Sequence, residues 1–175
     1  MRPTPGTPTA NNVSNATSVR AVLQFGAAIA AASCPPESGF QEWITAAVSA
    51  AARPASLPLT VTVRVVDEQE GATLNSDYRG KAGPTNVLAF PAEMPPIPPA
   101  ELDELELGDL VICLGVAEQE AVEQGKSTAQ HLAHLTVHGT LHLLGFDHIE
   151  EADAEAMEAL ERRVLEGLGL PDPYA

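Results

Sequence analysis

His138 and His142 stand four residues apart, and His148 follows them across Gly145. In a helix, a spacing of four brings two imidazoles to one face about 6 Å apart along the axis, close enough to share a cation. A turn at Gly145 lets the chain fold back, so that His148 can supply a third nitrogen. Three neutral imidazoles leave the fourth corner of a tetrahedral zinc ion open to water, the coordination of a catalytic rather than a structural zinc. The spacing therefore predicts a metallohydrolase with one Zn2+ per chain, held by His138, His142 and His148.

All five histidines fall within residues 130–149. A rival set, His134, His138 and His142, also follows a helical stripe, but its ends lie ~12 Å apart along the axis and cannot all reach one ion. His131 and His134 are accordingly expected as core or surface histidines, with support of the metal from behind as the second reading. Asp147 has two readings of equal weight: it fixes the tautomer of a ligating histidine, or it caps the helix that follows. The run His138-Gly-Thr-Leu-His142-Leu-Leu-Gly145-Phe-Asp-His148 has the spacing of the extended zincin motif of metzincin proteases. Those proteases carry a glutamate general base directly after the first histidine. Gly139 stands there in this chain and can move no proton, which disfavours a peptidase.

The segment from Thr136 to His148 resembles the signature of the YbeY family of rRNA-maturation endoribonucleases, His-Gly-x-Leu-His-Leu-x-Gly-x-Asp-His, at every fixed position. Upstream, Leu74-Asn-Ser-Asp-Tyr-Arg79-Gly-Lys81 followed by Pro84-Thr-Asn-Val-Leu-Ala-Phe-Pro91 is similar to a second block of that family, as is Leu107-Gly-Asp-Leu-Val-Ile112. The resemblance spans roughly residues 57–165. It implies a zincin-like α+β single domain, with a small, mostly parallel mixed sheet of about four strands packed with about five helices. It also implies a zinc-dependent endoribonuclease specific for single strands, acting in rRNA maturation at the 16S 3′ end and in ribosome quality control. Arg79 gains a catalytic role through the same likeness, and a guanidinium suits it by offering a phosphodiester a permanently charged, planar fork of donors. Lys81 adds charge nearby. One departure is Ala82, where the family commonly has an aspartate after that lysine. The alternatives are a ribosome-assembly binding factor with a mainly structural zinc and, last, a zinc peptidase.

These residues need elements to position them. Ser127-Thr-Ala-Gln130 reads as a capping box opening a helix over about Thr128–Leu144, with Gly145 as its left-handed stop. Leu59–Val66 is the clearest strand, and short strands are expected at Val19–Leu23, Asn86–Pro91 and Leu110–Leu114. Further helices are predicted over Glu37–Ala52, Val116–Gln124 and about Ile149–Leu168, and Asp67–Asn75 reads as a short acidic helix or turn. Residues 1–17, with three prolines and almost nothing apolar, are expected to be a disordered tail, 18–170 the domain and 171–175 a C-terminal tail.

A formal charge of −15 argues against a broad basic nucleic-acid surface, so contact with RNA must be local. The acidic clusters Glu101–Glu106, Glu118–Glu123 and Glu150–Glu166 read as solvated faces. The resemblance makes rRNA of the small subunit the expected partner, with basic ribosomal proteins fitting the acidic surface, and no DNA. Ala21–Ala32 is too short to span a bilayer and is broken by Gln24 and Gly26. Ala31-Ala32-Ser33-Cys34 only loosely resembles a lipoprotein cleavage site, and Pro35-Pro36 follows directly. With Cys34 and Cys113 in no disulfide-like framework, a cytoplasmic protein without membrane contact is expected.

Overall fold

The β-branched run Leu59–Val66 forms a strand buried at nearly every position, as a strand in the middle of a mostly parallel sheet must be. The computed structural model describes residues 16–53 and 55–175, so residues 1–15 of the expected tail lie outside the described residues. Numbered along the chain, the strands are β1 (Val19–Phe25), β2 (Leu59–Val66), β3 (Val87–Pro91) and β4 (Leu105–Cys113). They lie in the order β1-β2-β4-β3. β2 pairs in parallel with β1 and β4, and β3 closes the sheet antiparallel to β4, with Val87 opposite Ile112. Pro91 ends that edge strand, where a missing N–H costs no ladder bond.

Helices α1 (Glu37–Ala50), α4 (Thr128–Leu143) and α5 (Glu151–Gly167) share the main core with the sheet. α1 buries Phe40, Trp43, Ile44, Ala47 and Val48, the stripe its spacing predicts. Successive β4 side chains go to opposite faces: Leu110 and Ile112 enter this core, whereas Val111 and Cys113 join Val66 and Leu88 in a smaller cluster with Leu74 of α2 (Glu68–Arg79). α3 (Leu114–Glu123) leaves β4 directly. The α+β class, the mixed sheet and the expected helices are all present.

Two elements run well past the bounds the sequence predicts. α2 continues past Asn75 to Arg79, begun by Asp67, whose carboxylate accepts from Glu70 N at 2.9 Å. Tertiary contacts carry its second half: Asn75 Nδ2 donates to Gly83 O at 2.8 Å, and Tyr78 packs edge-on against Phe90 of β3. β4 starts already at Leu105, because Leu105 and Leu107 dip into the core between more polar neighbours, with a register shift opposite Thr60 and Val61. Residues 171–175 fold back over α5, where Arg162 Nε donates to Asp172 at 3.3 Å and Lys126 reaches Pro173 O. Among the described residues no helix is long and apolar enough to cross a membrane.

Candidate metal centre

The phase of α4 decides which histidines meet. Its start is fixed by the expected capping box: Ser127 Oγ accepts from Gln130 N at 3.1 Å, and Gln130 Oε1 accepts from Ser127 N at 3.0 Å. From that start His138 and His142 fall on one face, with their Nε2 atoms 3.1 Å apart. The helix then stops in a Schellman turn, in which Gly145 N donates to His142 O at 2.9 Å and Phe146 N to Leu141 O at 3.0 Å. Gly145 takes φ 93°, a conformation that penalises a side chain. The reversal carries His148 back until its ring centre is 5.0 Å from that of His142 and 5.7 Å from that of His138.

One donor atom from each of His138, His142 and His148 lies within 4.8 Å of the others, so the group can hold a metal ion. Two nitrogens on one tetrahedral zinc stand about 3.3 Å apart, close to the spacing of the His138 and His142 Nε2 atoms. The donor chemistry fits as well. Burial, and after it the neighbouring His138 and His148, pull the His142 imidazole below its ordinary range, which favours the neutral form that ligates. These rings open into a cavity of about 650 Å³ that Arg79, Asn86 and Ile149 also line. Arg79 is exposed and makes no ion pair with the described residues. The structure thus brings Arg79 and the three histidines to one cavity. Lys81 is exposed two residues further on.

Gly139 lies on the same wall, and a Cβ there would come within 2.7 Å of Leu110 Cδ2, a side chain with no exposure. The position where zincin proteases carry their glutamate is taken up here by close packing of α4 on β4. Asp147 follows neither of its two readings. Its carboxylate accepts from the backbone N–H of His148 at 2.7 Å, and α5 starts later, with Glu150 at its N-cap.

Support from behind these histidines comes instead from a residue of the acidic cluster Glu150–Glu166, where the expectation of a solvated face fails because this side chain is buried against partners. Glu161 of α5, without exposed surface, accepts from His138 Nδ1 at 2.5 Å, and the Tyr174 hydroxyl donates to its other oxygen. His134 Nε2 stands 3.5 Å from the oxygen that His138 engages. Burial alone would raise the Glu161 carboxyl, but the His134 and His138 rings and the Tyr174 hydroxyl hold it down to about 2. Burial also pushes the Tyr174 hydroxyl up, and the Glu161 charge adds to it, so the phenol stays a donor. A signal was available: Glu161 interrupts the stripe Met157, Leu160, Val164, Leu165, and a charge on a buried face needs a partner. His131 is buried, as expected of a core histidine, and its Nε2 lies 2.6 Å from Glu120 of α3. Glu120 also accepts from Asn86 Nδ2, at the mouth of β3.

A family model described as Endoribonuclease YbeY matches residues 30–169. A relative from Alkalilimnicola ehrlichii named Endoribonuclease YbeY is 57% identical over 145 residues, which are 82% of this chain and 84% of the relative. One of the same name from Xanthomonas axonopodis pv. citri is 53% identical over 157 residues, 90% of this chain and 95% of its own. In fold, the chain is similar to a protein from Thermotoga maritima solved in solution, with a TM-score of 0.51 at 22% identity, covering 89% of this chain and 97% of that one.

Proposed function

The chain belongs to the YbeY endoribonuclease family, and from that premise we propose that it is a zinc-dependent endoribonuclease that cuts single-stranded RNA. Its place is in rRNA maturation at the 16S 3′ end and in ribosome quality control, in the cytoplasm. The observation that carries the reading is the meeting of the His138, His142 and His148 donor atoms in a cavity that Arg79 also lines. Zinc held by these three nitrogens would supply a Lewis acid for a phosphate oxygen and make water a usable nucleophile near neutral pH.

The chain's own residues do the rest. His138, whose Nδ1–H donates a hydrogen bond to Glu161, presents the Nε2 lone pair, and burial favours the neutral form of His142. Arg79 binds the scissile phosphate through two parallel N–H donors and turns it towards the histidines. Gly139 contributes no acid or base, so a peptidase lacks its proton carrier.

The charge of −15 favours one second reading, a ribosome-assembly factor that binds basic ribosomal proteins through its acidic surface around a mainly structural zinc. Purified protein should contain about one zinc per chain, and His138→Ala, His142→Ala and His148→Ala should each lose most of it, whereas His134→Ala should not. Zinc-replete protein should cut a defined single-stranded RNA and no peptide, with His142→Ala inactive. Normal zinc with no RNA cleavage would move the reading to the binding factor.

A further inference from the structure

Glu161 is a fully buried carboxylate on a helix face otherwise made of Met157, Leu160, Val164 and Leu165. Both of its oxygens are engaged: Oε1 accepts from His138 Nδ1 at 2.5 Å, and Oε2 accepts from the Tyr174 hydroxyl. An ionised carboxylate can only accept, so this contact requires the imidazole proton on Nδ1. The lone pair is then on Nε2, the nitrogen that faces His142. Tyr174 is itself held in place. Its ring stands edge-on to His134 at 5.6 Å, the Arg162 guanidinium lies 4.9 Å over it, and its backbone N–H donates to Asp172 at 2.8 Å.

We propose that Glu161, pinned by Tyr174, is the positioning residue of the metal centre, holding His138 in the Nδ1–H tautomer and in the orientation that aims Nε2 at the ion. The inference rests on the metal-binding reading above. Glu161 and Tyr174 do not line the cavity, so they act through His138. Donor atoms of His134, His138 and Glu161 also lie close enough together to suggest a second cation. However, 2.5 Å between Nδ1 and Oε1 is well short of the about 3.3 Å between two ligands of one tetrahedral zinc, so this pair is a hydrogen bond. Fixing the ring before the ion arrives removes the cost of orienting it, which is why such outer partners raise metal affinity.

Zinc affinity of the full chain, by competition with a chromogenic chelator, and thermal unfolding of the zinc-free protein should be measured side by side. Glu161→Ala should lose about ten- to a hundredfold in zinc affinity. Glu161→Gln should recover part of it, since its amide oxygen still accepts from Nδ1–H, and Tyr174→Phe should lose about three- to tenfold. In cobalt-substituted protein the ligand-field bands should shift in Glu161→Ala and stay in place in Arg79→Ala. A lowered unfolding midpoint with wild-type zinc affinity would assign Glu161 to folding alone and overturn the proposal. If Glu161→Ala does not fold, the near-isosteric Glu161→Gln and Tyr174→Phe decide, and wild-type affinity in both overturns it. Wild-type protein that took up no zinc would instead defeat the metal-binding reading itself, and this inference with it.

Discussion

Arg79 ends α2 with its side chain exposed, so its service to folding and to chemistry can be separated. Alanine there removes a charged fork and no buried apolar area, and stability should change by under about 1 kcal/mol in urea unfolding. Zinc content should be unchanged. RNA cleavage should fall by about ten- to a thousandfold, the range for losing one electrostatic stabiliser of a transition state. Arg79→Lys should recover only part, because a point charge cannot reproduce two parallel donors. Full activity in zinc-loaded Arg79→Ala would remove this residue from the mechanism. The three candidate ligands were legible in the sequence because their geometry is local: one helical turn joins His138 to His142, and one glycine turn brings His148 back. Glu161 was not, because it meets His138 across 23 residues, through the packing of α5 on α4.

At the scale of elements, the same division between local and long-range information decides what could be read. α4 announced both its ends, through Ser127 with Gln130 and through Gly145. The second half of α2 and the first half of β4 gave little local signal, since contacts with Gly83, Phe90 and the core hold them. His131 is a further joint of this kind, tying α4 to α3 and, through Glu120, to Asn86 at the start of β3. Burial holds its imidazole below the ordinary 6.5, against the opposing pull of Glu120, while His134 and Lys126 push the same way as burial. Its Nδ1 is buried with no hydrogen-bond partner among the described residues, so a second ring proton would find no acceptor. The unfolded chain therefore takes up this proton at higher pH than the folded one. The stability due to neutral His131 is complete above 6.5 and is lost as pH falls towards the depressed folded value. Urea unfolding from pH 7.5 to 5 should show an acid-side slope that is shallower in His131→Gln, by up to about 1.4 kcal/mol per pH unit. Equal slopes in the two proteins would mean that His131 does not titrate across unfolding.

For the molecule as a whole, the charge of −15 sets the terms on which it can meet RNA. Only nine of its residues are lysine or arginine, and Arg20, Arg64 and Arg162 are already paired with Glu104, Glu70 and Asp172. Among the described residues Arg79 lines the histidine cavity and Lys81 lies close to it in sequence, so an RNA strand held at that cavity is expected to meet about two positive charges. Each phosphate neutralised on a single strand contributes about −0.7 to the slope of log K against log salt, which predicts a slope of about −1 to −2. Distant acidic faces repel the strand at low salt and flatten the slope further, because that repulsion is screened as salt is added. Binding of a single-stranded oligonucleotide to a cleavage-deficient His142→Ala protein, followed by anisotropy from 50 to 300 mM KCl, measures this directly. Arg79→Ala should reduce the slope by about 0.7, one phosphate's share. A slope steeper than about −4 would require a broad basic track that the chain's charge does not supply, and would point to RNA held somewhere other than at the three histidines.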